Sequence, residues 1–513
     1  MKLLGNNTLR AIGAVVIAAQ FSSMTIWAGN RAEIGFPDGM LLWVLLVAAA
    51  GVIAWLVLRK FGLEADGARA TAFWGVLGFS MLGLRTEETP GGAVTLLVLL
   101  VAFCALIYRL HRLRQFQWFQ SWAVLFIALS PATFALHAYV TAADRADPEA
   151  VETVDVEFRN HSDVVLVVFD AHASLDVLEE AFSVDVAAQY APWREHGAHI
   201  APGMKANYPL THMSLAGVLN MGYPYGNGAT VREGDWDYLL STISGNNVLV
   251  NAFKDQGYRY TIVESGWIGL HCTSVADVCV RGIWPDQGTR LAMDRSLLGA
   301  AFRSILRDPE SVGALHSIRW LDSDLPDLLS NDEADLVFVH IMLPHPPIRL
   351  DDECHYRIEP GLGGTTLASP WFSEDDIDKR VARYLKATVC ARDVIAGLLE
   401  VVDDDGILVA FGDHGPDSHA QLFLSPNDWS LEDLKERFGA LFVTNSSCPI
   451  DDINSLVNLG RWLVACLAGE QPTYVDDRFF IGVRARRNVG SDPEPLLEVT
   501  DILGAEASHT DSR

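Results

Sequence analysis

The sequence has few basic residues for its length. Among its 513 residues, 38 Lys and Arg stand against 65 Asp and Glu, and the formal net charge is −27. Cations that neutralise phosphates carry non-specific binding both to nucleic acid and to anionic lipid. A chain this acidic is therefore not expected to bind nucleic acid, or to dock on anionic lipid through non-specific charge.

The sequence also lacks any Cys-x-x-Cys pair, so no zinc-binding pattern of that type competes for its cysteines. Of the seven cysteines, Cys104 lies in an apolar segment near the N-terminus. Six cysteines in the rest of the chain suit an oxidising compartment and up to three disulfides. Buried free thiols are the alternative. Sequence position suggests Cys272 with Cys279, Cys354 with Cys390, and Cys448 with Cys466, but the sequence leaves the connectivity open.

Charged residues are scarce within the apolar part of residues 1–140, which has a net charge of +4 against −31 for the remainder. Five apolar stretches stand out there, at about 11–29, 40–58, 70–84, 91–108 and 118–138. Four are long enough to cross a hydrocarbon core, whereas the third is short. A cleaved signal peptide would account for one stretch but not for five. We predict a transmembrane domain of about five helices over residues 1–140.

Basic residues concentrate at the N-terminus and in alternate loops, which predicts a cytoplasmic N-terminus. Five crossings then place the large domain outside the cytoplasm, whereas four would leave it inside. The cysteines favour the outside. We therefore expect a multi-pass protein of the inner (cytoplasmic) membrane with a periplasmic domain. A polar linker at 141–162 precedes an extracytoplasmic domain at 163–489, and the polar tail at 490–513 is expected to be disordered.

Three apolar runs of strand length stand in the large domain, and they begin at Asp163, Asp335 and Gly406. Continuous apolar runs bounded by turn residues are typical of strands buried on both faces of a parallel sheet. A segment with helical periodicity at about 378–402 precedes the third run. This alternation predicts an α/β domain with a mostly parallel sheet sandwiched by helices.

Candidate ligands follow these runs. Asp170 ends the first run, His340 and His345 follow the second, and Asp413 and His414 follow the third within Gly-Asp-His-Gly. Ligands of open α/β sheets collect outside the carboxyl ends of the strands. Carboxylate and imidazole suit a divalent metal, and paired histidines suit phosphate or metal. Taken singly, an ordinary turn or a helix cap is the better explanation of Asp170, and an ordinary turn is the better explanation of the Asp-His-Gly run. A single histidine at a strand end is usually only hydrogen-bonded.

A helix is predicted to start at Thr211 and to end near Gly222. On spacing alone, Thr211 is the N-cap of this helix. Alternatively, a hydroxyl at a helix N-terminus beside a metal has its alkoxide stabilised by both and serves as a nucleophile.

These segments, taken in order, resemble the sulfatase branch of the alkaline phosphatase superfamily over about residues 163–480. With five membrane segments in front, the chain is similar to lipid A phosphoethanolamine transferases and lipoteichoic acid synthase. The resemblance implies an alkaline phosphatase/sulfatase-like fold and a metal held by Asp170, Thr211, Asp413 and His414. It makes Thr211 the nucleophile that becomes phosphorylated, with the substrate phosphate near His340, His345 and His419.

Two motifs depart from the family pattern. The run that begins Thr211-His-Met-Ser-Leu lacks the Pro and Arg of a formylglycine motif, so a formylglycine sulfatase is not expected. The first ligand lies in Phe169-Asp170-Ala171-His172, where the transferases have Gly-Glu, but Asp170 still supplies a carboxylate. This difference weakens the assignment of the phospholipid donor but leaves the metal site as predicted.

The sequence therefore predicts a membrane-anchored, metal-dependent phosphotransferase. It would move phosphoethanolamine or phosphoglycerol from a phospholipid, through a phosphothreonine, to an envelope glycan or lipid. Zinc or manganese is the favoured metal, with calcium as an alternative. The rival functions are a periplasmic metal-dependent hydrolase of sulfate or phosphate esters and a non-catalytic envelope protein on the same fold.

Overall fold

The computed structural model describes most of the chain. The described residues are 6–29, 38–81, 90–143, 156–265, 267, 269–282, 289, 292–293, 296, 309–331, 333–346, 350–351, 353–355, 377–402, 406–418, 426–482 and 495–504. They form two compact units, of which one contains the N-terminal helices and the other contains the sheet.

Five long helices are described in the N-terminal unit. They are α1 (Asn6–Gly29), α2 (Asp38–Lys60), α3 (Ala65–Met81), α4 (Pro90–Leu110) and α5 (Arg114–Ala143). Among the described residues, two segments are long and apolar enough to span a membrane, Asn7–Thr25 and Met40–Lys60. The number of membrane crossings therefore stays a prediction.

Large apolar side chains are exposed along this helical unit. Ile53 on α2 and Val98 on α4 are each 61% exposed, and Phe126 on α5 is 71% exposed. Apolar surface of this extent is unusual on a protein surrounded by water, and its usual explanation is contact with lipid or with another protein.

The second unit is built on a seven-stranded sheet. Its strands are β1 (Val164–Phe169), β2 (His199–Ile200), β3 (Arg259–Val263), β4 (Val278–Val280), β5 (Asp335–Ile341), β6 (Ile407–Phe411) and β7 (Phe442–Thr444). They follow the order β2-β7-β6-β1-β5-β3-β4. The strands from β6 to β4 pair in parallel, and β7 is antiparallel to both of its neighbours.

The central strand β1 is buried along its whole length because both faces of the sheet are covered. Val164, Leu166 and Val168 face one hydrophobic core. Val165, Val167 and Phe169 alternate with them and face a second core. This alternation explains the continuous apolar run in the sequence. The predicted fold class, a mostly parallel sheet sandwiched by helices, is confirmed.

Helices cover both faces. They are α6 (Leu175–Glu180), α7 (Val186–Gln189), α8 (Ala191–Glu195), α9 (Thr211–Asn220), α10 (Glu233–Ile243), α11 (Val248–Asp255), α12 (Pro309–Ser323), α13 (Leu325–Leu329), α14 (Ile377–Val401), α15 (Leu431–Phe438) and α16 (Leu459–Ala468). Helices α9, α10, α11 and α16 supply the first core. Helices α6 and α14 pack on the opposite face. Short 3-10 helices span Pro426–Asp428 and Leu456–Asn458.

The predicted disorder of the tail is wrong for residues 495–504. This segment forms β9 (Leu497–Glu498), which pairs with β8 (Phe480–Ile481), and then α17 (Thr500–Gly504). Val499 and Leu503 are buried in a small apolar cluster, and these few apolar side chains order a stretch that is polar on average.

Three disulfides are formed in the sheet unit, and they are the three pairs that the sequence suggested: Cys272–Cys279, Cys354–Cys390 and Cys448–Cys466. Cys104 is the free cysteine. The alternative of buried free thiols is therefore wrong for these six residues, and the pairing agrees with an oxidising compartment.

Alkylation of the denatured protein tests this disulfide set. Without reductant, an iodoacetamide-type reagent is expected to modify one cysteine per chain, and after reduction it is expected to modify seven, as intact mass will show. Cys104→Ser is the control and should leave the unreduced protein unmodified. More than one adduct on unreduced wild-type protein from the envelope fraction would contradict the pairing.

Candidate metal centre

Three neighbouring parallel strands bring their carboxyl ends to one edge of the sheet. Asp170 directly follows β1, Asp413 lies two residues after β6, and His340 is the penultimate residue of β5. Since β6, β1 and β5 are adjacent in the sheet, the three side chains converge although 243 positions of sequence separate the first from the last. His414 joins them as the residue after Asp413.

Asp170, Asp413 and His414 form the ligand set. Each offers one ligand atom, and these atoms all lie within 4.8 Å of one another. His414 Nε2 is 3.2 Å from Asp413 Oδ2 and 3.9 Å from Asp170 Oδ1. Among the described groups, Asp170 Oδ1 and Asp413 Oδ2 have no hydrogen-bond partner. Buried carboxylate oxygens without partners are costly, so these residues fit a divalent cation.

The donor types also limit the choice of metal. Two carboxylates, one imidazole and a hydroxyl suit zinc and manganese, whereas calcium usually takes oxygen ligands alone. A divalent metal is therefore the cofactor that this chemistry supports.

The two buried carboxyls influence each other's ionisation. Burial and the neighbouring Asp170 carboxylate raise the pKa of Asp413 to about 7. Burial also acts to raise the pKa of Asp170, but the nearby His345, His340 and His414 outweigh it and hold that pKa below its usual range. Asp170 is therefore the ionised member, and Asp413 is the member that needs a cation in order to ionise fully.

His414 presents a lone pair to the site. Its Nδ1 lies 3.0 Å from the Gly415 carbonyl and donates to it, which leaves Nε2 unprotonated. Burial, followed by the charge of Arg437, lowers the pKa of His414 well below its usual range. The neutral imidazole is the form that ligates metals.

Thr211 is the first residue of α9, and Leu210 rather than Thr211 is the N-cap. The interpretation of Thr211 as a helix cap is therefore wrong. Its Oγ1 instead lies 3.2 Å from His414 Nε2. Ser214, one turn later on the same helix, donates to the Asp413 carbonyl at 2.6 Å and ties the helix to the ligand loop. The hydroxyl thus lies at the ligand set, where the N-terminal dipole of α9 also favours negative charge.

The three histidines predicted to bind the substrate phosphate differ in where the structure places them. His340 is fully buried, and its Nε2 lies 3.2 Å from Asp170 Oδ2. His345 is close enough for its charge to act on both Asp170 and His414. His419 lies outside the described residues. The structure therefore brings six of the seven sequence candidates together.

Ser265 and Arg437 belong to the site but are not among the sequence candidates. Ser265 Oγ is 3.1 Å from His340 Nδ1 and orients that ring. It lies two residues beyond β3, so the rule that located Asp170 could have found it. Arg437 is on α15, and one of its Nη atoms lies 3.2 Å from His414 Nε2. No rule of this kind points to Arg437 in the sequence, because the charged residues around it are typical of a helix face exposed to solvent.

Close backbone packing fixes the ligand loop. A Cβ added at Gly412 would lie 2.2 Å from the His172 carbonyl oxygen. One added at Gly415 would lie 1.9 Å from the Glu436 carbonyl oxygen. Only glycine fits at such distances, so both glycines of Gly-Asp-His-Gly hold Asp413 and His414 against the neighbouring segments.

Two other groups of acidic, Cys or His residues lie close together in the described part of the chain. Glu264 lies beside Cys272 and Cys279, but those two sulfurs form a disulfide. Asp351, Glu353 and His355 lie at the surface, where acidic groups are often found without a metal. The buried set at Asp170 is therefore the stronger candidate, and the surface set provides a control.

Comparisons with known proteins find similarity among solved structures. No family model and no curated protein matches the chain. Among solved structures, the zinc complex of the periplasmic domain of EcEptC from Escherichia coli is 14% identical, with a TM-score of 0.41, over 69% of this chain and 99% of that chain. The integral membrane protein lipooligosaccharide phosphoethanolamine transferase A (EptA) from Neisseria meningitidis is 14% identical, with a TM-score of 0.36. The match covers 90% of this chain and 96% of that chain.

The periplasmic domain of phosphoethanolamine transferase EptC from Campylobacter jejuni is 10% identical, with a TM-score of 0.38, over 62% of this chain and 92% of that chain. Chains described as sulfatases, from Bacteroides species, are also similar. The similar structures are thus phosphoethanolamine transferases and sulfatases, the groups that the motifs resemble. With these identities and TM-scores, the likeness carries no argument about activity, for which the side chains above are the basis.

Gly415→Ala tests the close packing of the ligand loop. The added methyl must displace the Glu436 backbone, and such overpacking typically costs about 1–3 kcal/mol. We expect a lower temperature of unfolding in EDTA and weaker metal binding. Gly397→Ala is the matched control, because a Cβ there meets nothing within 4 Å and alanine favours the helix by up to about 1 kcal/mol. Equal unfolding temperatures for Gly415→Ala and wild type would contradict the packing.

Asp413→Asn tests the ligand set through stability. Zinc or manganese at about 100 times its Kd should stabilise the wild type by about 2.7 kcal/mol, seen as a higher temperature of unfolding. Asp413→Asn should lose this effect. In EDTA it should be at least as stable as wild type, because the variant removes a like charge beside Asp170. Glu353→Gln, in the surface cluster, should respond to metal as wild type does. The opposite pattern would place the metal at the surface.

Proposed function

We propose that this chain is a membrane-anchored, metal-dependent phosphotransferase. It moves a phospholipid head group, phosphoethanolamine or phosphoglycerol, through a phosphothreonine at Thr211 to an envelope glycan or lipid. The observation that carries the proposal is the Thr211 hydroxyl at 3.2 Å from the unprotonated Nε2 of His414, within a buried set of metal ligands. A hydroxyl in that position is well placed to act as an activated nucleophile.

Asp170, Asp413 and His414 would hold the metal, with Thr211 as the fourth ligand. A bound divalent metal supplies Lewis acidity, which lowers the pKa of the hydroxyl and neutralises charge on the phosphoryl group. The dipole of α9 adds to this stabilisation because Thr211 is its first residue. The burial of the whole set strengthens each electrostatic interaction.

The transfer has two balanced steps. In the first, a bond forms from Thr211 Oγ1 to phosphorus as the bond from phosphorus to the diacylglycerol oxygen breaks. Diacylglycerol leaves as an alcohol and takes up one proton, which balances the proton that Thr211 loses. In the second, an acceptor hydroxyl gives up its proton as its oxygen bonds to phosphorus, and Thr211 is regenerated with its own proton. His340 and His345 are the groups near the ligands that can contact the phosphoryl oxygens or pass these protons.

The location of the reaction belongs to the same proposal. Three disulfides support a periplasmic sheet domain. The exposed apolar residues of α2, α4 and α5 support insertion of the N-terminal unit in the inner membrane. A membrane anchor on the same chain raises the effective concentration of a lipid donor, because encounters are confined to the membrane surface.

Thr211→Ala tests the covalent intermediate. Wild-type protein incubated with metal and phospholipid should gain the mass of one head-group phosphate, and the identity of that mass names the donor. Thr211→Ala should gain none, because it lacks the attacking oxygen. Thr242→Ala is the control, since it removes another buried threonine hydroxyl, which donates to the Tyr238 carbonyl. This variant should form the adduct as wild type does.

The acceptor distinguishes transfer from hydrolysis. With an envelope lipid or glycan present, the head group should appear on that acceptor faster than as free phosphate ester. Release to water at the same rate with and without acceptor would favour the hydrolase. Full transfer by Thr211→Ala would overturn the proposed mechanism.

A further inference from the structure

One nitrogen of the candidate site has two donors competing for it. His414 Nε2 lies 3.2 Å from Thr211 Oγ1 and 3.2 Å from Arg437 Nη2. A neutral imidazole nitrogen has one lone pair. The hydroxyl and the guanidinium therefore share a single acceptor, which is also the atom that a metal would take.

Arg437 is a buried cation with a fixed orientation. Its side chain belongs to a residue that is 4% exposed. Nε and Nη2 donate to the Pro209 carbonyl at 2.9 and 2.6 Å, and Nη1 donates to the Gly415 carbonyl at 2.7 Å. These bonds join the guanidinium to the residue two before Thr211 and to the residue after His414. They hold the plane of the guanidinium without engaging all of its five N–H groups.

Metal binding at His414 would change the partners of Arg437. Once a metal takes the Nε2 lone pair, the Nη2 hydrogen that points at it has no acceptor there. The bonds to the Pro209 and Gly415 carbonyls keep the guanidinium beside Thr211 and His414, while a metal on Nε2 would repel this hydrogen. The hydrogen therefore needs a new acceptor close to Thr211. An oxygen of a phosphoryl group on Thr211 is such an acceptor.

The charges lead to the same conclusion. The carboxylates of Asp417, Asp413, Asp170 and Glu436 act on Arg437 as counter-charges, with Asp417 the largest. A divalent metal neutralises Asp413 and Asp170, so two of these four counter-charges are lost to Arg437 in a buried site. An anion with oxygen acceptors restores the balance, and arginine binds phosphate oxygens with directional, charge-assisted bonds.

We propose that Arg437 is a further catalytic residue, which donates from Nη2 to a non-bridging oxygen of the phosphoryl group transferred to Thr211. In the metal-free protein the same N–H is donated to His414. The inference rests on the proposed phosphotransfer for its catalytic meaning, but phosphate binding by Arg437 can be measured without turnover. A purely structural Arg437 would anchor α15 and would have no effect on phosphate affinity.

Inorganic phosphate and vanadate are the probes, used with the detergent-purified full chain. Arg437→Lys keeps the charge but not the planar fork, and Arg437→Gln removes the charge. With metal bound, both should bind phosphate about 10- to 100-fold more weakly, as expected for the loss of a charge-assisted hydrogen bond. Metal affinity should be unchanged or higher, because the competing donor on His414 is weakened or absent. The matched control is Arg461→Lys, which replaces an arginine that donates to the Met221 and Thr473 carbonyls away from the ligand set.

The outcomes separate this inference from the proposed function. Wild-type phosphate affinity in Arg437→Lys or Arg437→Gln would overturn the inference, even where the Thr211 adduct forms. Weaker phosphate binding in a chain that forms no adduct would support an anion site at Arg437 and would count against phosphotransfer. If neither variant folds, a crystal structure of metal-loaded wild type with vanadate decides the matter. The inference predicts Nη2 within hydrogen-bond distance of a vanadate oxygen, and Nη2 still bonded to His414 would overturn it.

Discussion

Two carboxyl groups buried side by side are the constraint on which the rest of the site depends. Asp170 and Asp413 lie at the ends of adjacent parallel strands, and each is almost completely shielded from water. Burying two like charges together is unfavourable unless a cation or a proton compensates them. The raised pKa of Asp413, about 7, expresses this cost. A divalent metal is the compensation that two orphaned oxygens and a neutral imidazole fit best.

The surrounding structure holds this pair in place. Backbone N–H groups of Ala171 and His414 donate to one oxygen of Asp413 at 2.9 and 3.0 Å, which leaves its other oxygen for the metal. Tyr384 on α14 donates to the Ala171 carbonyl and accepts from Ala173 N–H. The loop after β1 is therefore held by a helix on the face of the sheet opposite to α9. An arrangement in which one oxygen is satisfied and the other is not is typical of a preorganised ligand, because the backbone bonds set its direction before the metal binds.

Much of this arrangement is predictable from the sequence, for a specific reason. The apolar runs before Asp170 and Asp413 predict buried parallel strands, and the carboxyl ends of such strands meet at one edge. That rule alone places both carboxylates, His340 and His414 in one region. The sequence suggests the three disulfide pairs without fixing them, since each pair is close in sequence or joins a predicted helix to the segment before it.

The remaining features depend on tertiary packing. Arg437 and Glu436 are both buried on α15, although their charges suggest a solvated helix face. Nothing local distinguishes Arg437, because its partners Pro209, Gly415 and His414 come from distant parts of the chain. Thr211 is inside the helix rather than capping it, and its hydroxyl lies 3.2 Å from His414 Nε2, a residue 203 positions away. The ordered segment at residues 495–504 depends on a few apolar contacts that average composition hides.

The most direct test of the central claim is anomalous X-ray scattering from crystals of the full chain purified without chelator. Data collected on both sides of the zinc and manganese edges should give one strong peak at the carboxyl edge of the sheet. It should lie about 2.0–2.2 Å from Asp170 Oδ1, Asp413 Oδ2 and His414 Nε2, as zinc ligands do. An anomalous peak confined to Asp351, Glu353 and His355, or none at the buried set in a metal-replete crystal, would contradict the account.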